Sequence, residues 1–207
     1  MGFAEIRPNI YRLSILDKKV LPYSVVVYIV KGDKEALLID CGYDSAVFRE
    51  EIVSGLAQLG IEPKNTKLLL THIHIDHCGN ADYLYRLGMS VLIGRKEFAL
   101  SAGKATRISW ETAKLCGVEE RNFKVFVKET ANKAVASSGG RLPFKMLDTH
   151  IPHTALDEGT ELVMGEYRFK VLGFAGHSPY HLCLLEQHKQ LMFSGDVVVF
   201  GAIPVVL

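Results

Sequence analysis

The chain has 207 residues, 48% of them hydrophobic and 23% charged, a globular balance that can bury a sizeable core without disulfide staples. Its 24 basic and 23 acidic side chains leave a formal net charge of +1, which gives no global electrostatic case for binding nucleic acid or an anionic membrane. The four cysteines, at 41, 78, 116 and 183, contain no Cys-x-x-Cys pair; they read as reduced thiols of a cytoplasmic protein rather than as a disulfide framework or a cysteine-rich zinc site.

The N-terminus, MGFAEIRPNIYRL, lacks the basic region and apolar run of a signal peptide. The apolar run Val25 to Val30 is far too short to span a bilayer, so no membrane association is expected. Strands are predicted over Glu5–Ser14, Ser24–Lys31 and Glu35–Asp40, the last two joined by a turn at Gly32-Asp33. Asp44 to Leu59 reads as an amphipathic helix with Val47, Ile52, Leu56 and Leu59 near one face, ended by Gly60. Lys67–Thr71 is a short apolar strand, followed by the polar HIHIDHCGN, a helix from about Cys78 to Leu87 and a strand at Ser90–Ile93. Residues 95 to 137 look mostly helical; the segment 111–145 holds seven Lys/Arg against four Glu, and Ser137-Ser138-Gly139-Gly140 marks a break. Strands follow at Glu161–Met164 and Tyr167–Phe174 around a Gly165-Glu166 turn, then at His181–Leu185 and Gln190–Phe193. Strands mixed with helices in this order, with functional residues at strand ends, predict a layered α/β sandwich.

Chemistry concentrates at His72-Ile73-His74-Ile75-Asp76-His77, where four ligand-type side chains fall within six residues directly after a buried strand. Imidazole and carboxylate suit zinc, iron or manganese. Residues two apart in an extended segment project to the same side, so His72 and His74 can reach one ion together. If Asp76 and His77 begin a helix, the chain turns there and they face a neighbouring ion, which seeds a two-metal site. A polar loop merely rich in histidine is a poor account of such density. The motif names a metal, not a reaction.

HIHIDH, preceded by LLLT and followed by CGN, resembles the H-x-H-x-D-H signature of the metallo-β-lactamase superfamily. Three further stretches resemble that family in order and spacing: Leu37-Leu38-Ile39-Asp40-Cys41-Gly42, the turn Phe174-Ala175-Gly176-His177-Ser178-Pro179-Tyr180-His181, and the strand end Phe193-Ser194-Gly195-Asp196. The resemblance spans nearly the whole chain and implies an αββα four-layer sandwich, one domain over residues 1–207, with a helical cap-like insert at about 95–150. It implies two divalent ions, zinc first and iron or manganese next. His72, His74 and His177 would hold the first, Asp76 and His77 the second, and Asp196 would bridge both. A metal-bound hydroxide would then attack an ester, thioester or lactone, with Asp76 and Asp196 as the catalytic carboxylates. The G-H-S-P-x-H turn leans toward the glyoxalase II-like branch, whose partners are small molecules. Asp40 would orient a ligating imidazole, and His181 would support the site or face substrate.

Two departures from the family pattern stand out. Ala175 replaces a usual proline, and Tyr180 puts a phenol where glycine is common, shaping the pocket. The chain also stops eleven residues after Asp196, before the family's final histidine, so a fragment is expected, with an incomplete second half and a depleted second metal site. A metal-dependent nuclease, a mononuclear iron dioxygenase, a non-catalytic metal-binding module and a homo-oligomer remain alternatives. Cys78 reads as a small buried thiol, His150 and His153 as loop residues beside a proline, and Trp110 as core.

Overall fold

The N-terminal third is a meander: β1 (Gly2–Arg7), β2 (Ile10–Ile15), β3 (Val25–Lys31) and β4 (Ala36–Ile39) pair antiparallel in sequence order. The expected single strand over Glu5–Ser14 is instead two. Pro8 removes a ladder donor, and Asn9 turns the chain with φ +59, a left-handed value asparagine tolerates. The computed structural model describes residues 2–20, 23–102, 119–122, 124, 147 and 150–198.

After β4 the pairing becomes parallel. Helix α1 (Ala46–Gln58), capped by Ser45, carries the chain back to β5 (Thr66–Leu70). Two short helices, α2 (Ile75–Cys78) and α3 (Ala81–Arg86), lead to β6 (Ser90–Gly94). Helix α4 (Arg95–Ala102) follows, and β7 (His153–Leu156) closes a seven-stranded sheet in order β1 to β7. His153 therefore opens a strand, and its ring lies 3.7 Å from that of Phe98 between centroids. Most of the expected 95–150 insert lies outside the described residues, as do Trp110, Cys116, the Ser137–Gly140 break and nearly all of the basic segment. A second sheet is an antiparallel meander of β8 (Glu161–Met164), β9 (Tyr167–Phe174), β10 (His181–Glu186) and β11 (Leu191–Phe193), ordered β11-β10-β9-β8.

Side-chain alternation explains why β4, β5 and β6 read as unbroken apolar runs. Leu38, Leu68, Leu70, Val91 and Ile93 enter a core shared with Phe48, Ile52 and Leu56 of α1. Leu37, Ile39, Leu69 and Leu92 point the other way, into a second core with Phe169, Val171, Leu182, Leu184 and Phe193. Among the described residues these elements form three layers, helices on sheet on sheet, of the expected four-layer αββα sandwich. Among the same residues, no helix is long and apolar enough to cross a membrane.

Because β4, β5 and β6 run parallel, their C-terminal ends share one edge, and a bond from the Leu182 amide to the Thr71 carbonyl (2.9 Å) stitches the second sheet to it. The helix expected from about Cys78 to Leu87 is instead two, α2 and α3, separated at Gly79-Asn80, and Gly79 lets two loops of this edge touch. A Cβ there would lie 2.5 Å from the Asp44 nitrogen and 2.8 Å from the Gly42 carbonyl oxygen, backbone atoms that cannot swing away. Gly79→Ala is expected to destabilise the protein by about 1–3 kcal/mol, the usual cost of overpacking; denaturant melts of both proteins check it.

Candidate metal centre

Strand β4 delivers Asp40 and β5 delivers Thr71 and His72, side by side at the shared edge. Asp40 sits at φ +61, unusual for a residue with a Cβ, and its neighbours hold it there. Its amide donates to the Leu69 carbonyl, and the Cys41 amide donates to the His77 carbonyl, each at 2.8 Å. The Asp40 carboxylate is buried and fully used. Oδ1 accepts from the Thr71 amide (2.8 Å), and Oδ2 accepts from the Thr71 hydroxyl (2.9 Å) and from His77 Nδ1 (2.8 Å). The single Thr71 hydroxyl proton goes to this carboxylate, so the oxygen, 3.0 Å from His72 Nδ1, accepts there. Both His72 and His77 thus carry a proton on Nδ1 and turn Nε2 toward the cleft.

Around those nitrogens the chain assembles two donor sets. The ligand atoms of His72, His74 and His177 lie within 4.8 Å of one another, as do those of His72, His77 and Asp196. His74 Nδ1 is 2.7 Å from His177 Nε2. Asp196 lies between the sets, with Oδ2 3.3 Å from His177 Nε2 and Oδ1 3.4 Å from His77 Nε2. Asp76 is peripheral, its carboxylate 3.8 Å from His77 Nε2. His72 Nε2 is buried and has no hydrogen-bond partner among the described residues, a cost that a cation at its lone pair would remove. Histidine and carboxylate donors with fixed tautomers fit a divalent ion.

Electrostatics agree with that fit. Burial, then the neighbouring imidazoles, push the His72 pKa far down, and burial with His177 beside it lowers His74 to about 4, so both are neutral donors at neutral pH. Burial opposes the charge on Asp196, yet the hydrogen bond and charge of His77, with His177, hold its carboxyl down to about 2. Burial also opposes a proton on His77, but Asp40, Asp196 and Asp76 outweigh it and raise that pKa; a bound cation would take the proton's place on the same lone pair.

Other predicted residues take distinct places. His181, expected to support the site or to face substrate, is completely buried. Its ring stacks under His72 at 4.6 Å, and its Nε2 accepts from the Asp196 amide at 3.2 Å. Gly195, at φ +48, permits this, because a Cβ would lie 2.5 Å from His181 Cε1. Tyr180 is exposed and lines a cavity of about 380 Å³ with Lys96, Phe174, Ala175 and Pro179. The Lys96 ammonium sits 5.7 Å from the centre of the Tyr180 ring. Cys78 is buried and donates to the Ile73 carbonyl. Three residues that motif reading passes over also build the site: Thr71, Ser178 and Glu97. Glu97 is buried on α4 and accepts from Ser178 and from the Ile73 amide. Burial raises its pKa against the pull of those bonds. Thr71 was visible as the last letter of LLLT; nothing local marks Glu97.

Asp40→Ala is expected to lower unfolding free energy by about 2–4 kcal/mol, since the Thr71 amide, its hydroxyl and His77 Nδ1 all lose their acceptor. Chemical denaturation of chelator-treated protein measures it, and a loss under about 0.5 kcal/mol would contradict the network.

Residues 20–207 match the metallo-β-lactamase superfamily. Among curated relatives, the hydroxyacylglutathione hydrolase GloC of Haemophilus influenzae is 25% identical over 172 residues, covering 83% of this chain and 65% of that protein. The human acyl-coenzyme A thioesterase MBLAC2 is 25% identical over 183 residues, covering 86% of this chain and 59% of that one. The chain thus spans less than two thirds of either relative. A metallo-β-lactamase family protein from Thermus thermophilus superposes with a TM-score of 0.70 at 23% identity, over 98% of this chain and 64% of that structure, which shows the fold. The chain belongs to the metallo-β-lactamase superfamily.

Proposed function

We propose that this chain is a metal-dependent hydrolase of thioesters or closely related esters and lactones. Members of the superfamily are mostly hydrolases, and the relatives above are named as a hydrolase and a thioesterase, which supports metal-dependent hydrolysis in general. The observation that carries the reading is the Asp196 carboxylate, one oxygen against each donor set. A bridging carboxylate of that kind suits two ions rather than one.

On this reading His72, His74 and His177 hold one ion, His77 and Asp76 the other, and Asp196 both. Zinc is the first choice for the donors, with iron and manganese next. When bound, the ions supply a Lewis acid that polarises the acyl carbonyl and brings a water's pKa near neutrality. The protein does the rest. The Asp40–Thr71 pair keeps the imidazole lone pairs aimed. Asp76, partly exposed beside the second set, orients the attacking water and takes its proton. Water's oxygen bonds to the acyl carbon, the carbon–sulfur bond breaks, and the proton leaves with the thiol. The remainder of the substrate would enter the cavity lined by Ala175 and Pro179 of the His177 turn, with Tyr180 as a wall and Lys96 as one of its cations beside the Asp157-paired Arg95.

Two measurements decide this. Elemental analysis of protein purified without chelator should find metal in the wild type and little in His74→Ala, both folded. Asp196→Asn should retain part of the metal while hydrolysis of acyl-coenzyme A and acylglutathione falls by about 100-fold or more. Undiminished turnover in Asp196→Asn removes that residue from the mechanism; turnover of phosphodiesters alone would replace the reading with a nuclease.

Lys96 generates a separate expectation. Lys96→Ala should raise KM for an anionic thioester by about tenfold at low salt, with kcat little changed, and leave an uncharged thioester unaffected. An equal effect on both substrates would show that the lysine does not read charge.

A further inference from the structure

Glu97 lies outside every motif, yet it joins the two chain segments on which the first donor set depends. Its side chain is completely buried, and a buried carboxylate is costly unless hydrogen bonds replace its water. One oxygen accepts from the Ile73 amide at 3.1 Å and from the Ser178 hydroxyl at 2.6 Å; the other lies 2.7 Å from the same hydroxyl. Ile73 stands between His72 and His74, and Ser178 follows His177. His74 and His177 are 103 positions apart in the chain, and their ring nitrogens are 2.7 Å apart in space. Glu97 is borne on α4, whose Phe98 packs against the His153 ring of β7, so the carboxylate is fixed to the sheet rather than to either loop.

We infer that Glu97 is a positioning residue for the metal centre, a strut that holds the His72–His74 loop and the His177 loop at the separation one ion requires. This rests on the reading of His72, His74 and His177 as ligands of one ion. A purely structural strut would lower the stability of the fold and leave metal affinity alone. A positioning strut alters affinity, because unconstrained loops must be brought together as the ion binds.

The test is Zn²⁺ affinity of the chelator-stripped full chain, read by competition with a chromophoric chelator, for wild type, Glu97→Gln, Glu97→Ala and Ser178→Ala. Thermal melting of each metal-free protein runs alongside, and visible spectra of the Co²⁺ forms report ligand geometry. The expected result is binding weakened by about 10- to 100-fold in Glu97→Ala and by at least ~3-fold in Glu97→Gln and Ser178→Ala, with altered Co²⁺ bands. The Glu97→Ala/Ser178→Ala pair should bind no more weakly than Glu97→Ala alone, since both delete one shared contact. Glu97→Gln and Ser178→Ala carry the decision if the alanine at 97 does not fold. Affinity within twofold of wild type in both, with unchanged Co²⁺ spectra, overturns the inference while leaving the metal centre standing. A wild type that binds no Zn²⁺ overturns both together.

Discussion

The structure turns on one buried carboxylate. Asp40 is held where a side chain with a Cβ is strained, in a place with no water to solvate its charge, and survives there because Thr71 and His77 donate to it. The dependence is mutual. Without that acceptor, the Thr71 amide and the His77 Nδ1–H would be stranded in the protein, and the two imidazoles would be free to choose the wrong tautomer. The parallel pairing of β4 and β5 makes the arrangement nearly unavoidable, because adjacent parallel strands release their next residues at the same edge.

Packing then turns that anchor into a site. His72 is surrounded by the rings of His74, His77, His177 and His181, all with centroids within 4.9 Å. So many imidazoles cannot all be charged, and burial drives most of them neutral. The cluster is therefore rich in lone pairs and poor in protons, and the carboxylate of Asp196 adds negative charge at its centre. Such a set is unfavourable as a plain polar core. It becomes favourable when a cation supplies what the missing protons would have supplied. The two apolar cores on either face of the first sheet meet the cost of holding it, and they do so at the edge where the sheets converge.

Much of this was legible in the residue order. HIHIDH was readable because metal ligation demands particular side chains at short spacing; His177 and Asp196, a hundred or more positions away, were readable only through the family resemblance, and the structure brings these segments to one edge with Asp40. The apolar runs at β4 and β5 were readable because strands buried on both faces cannot alternate with polar residues. What escaped notice depends on contacts distant in sequence. Glu97 meets Ser178 only because α4 and the His177 loop converge, and no local pattern encodes that. The break between α2 and α3 was hidden for a similar reason: Gly79 is small because of Gly42 and Asp44, which lie more than thirty positions earlier. The Pro8-Asn9 turn was a true local signal, outweighed in the sequence by the apolar residues on both sides.

Three carboxylates in this region share a chemistry and differ in what surrounds them, which is enough to separate their tasks. Asp40, its side chain 6% exposed, spends its oxygens on protein donors and can only orient. Glu97, fully buried, accepts from the Ile73 amide and the Ser178 hydroxyl, which belong to two different loops. Asp196, with 31% of its side chain exposed, has no amide or hydroxyl donor at its oxygens among the described residues; its partners there are the ring nitrogens of His77 and His177. Its backbone is fixed instead, by the amide bond to His181 Nε2 and by the tight approach that Gly195 allows. A carboxylate rigid at its backbone, whose oxygens meet only imidazole nitrogens, is suited to accept a ligand shared with those rings, whereas one satisfied by amides and hydroxyls is suited to build. Burial and hydrogen-bond supply, rather than residue type, therefore separate the carboxylate left open toward the cleft from the two already engaged by amides and hydroxyls.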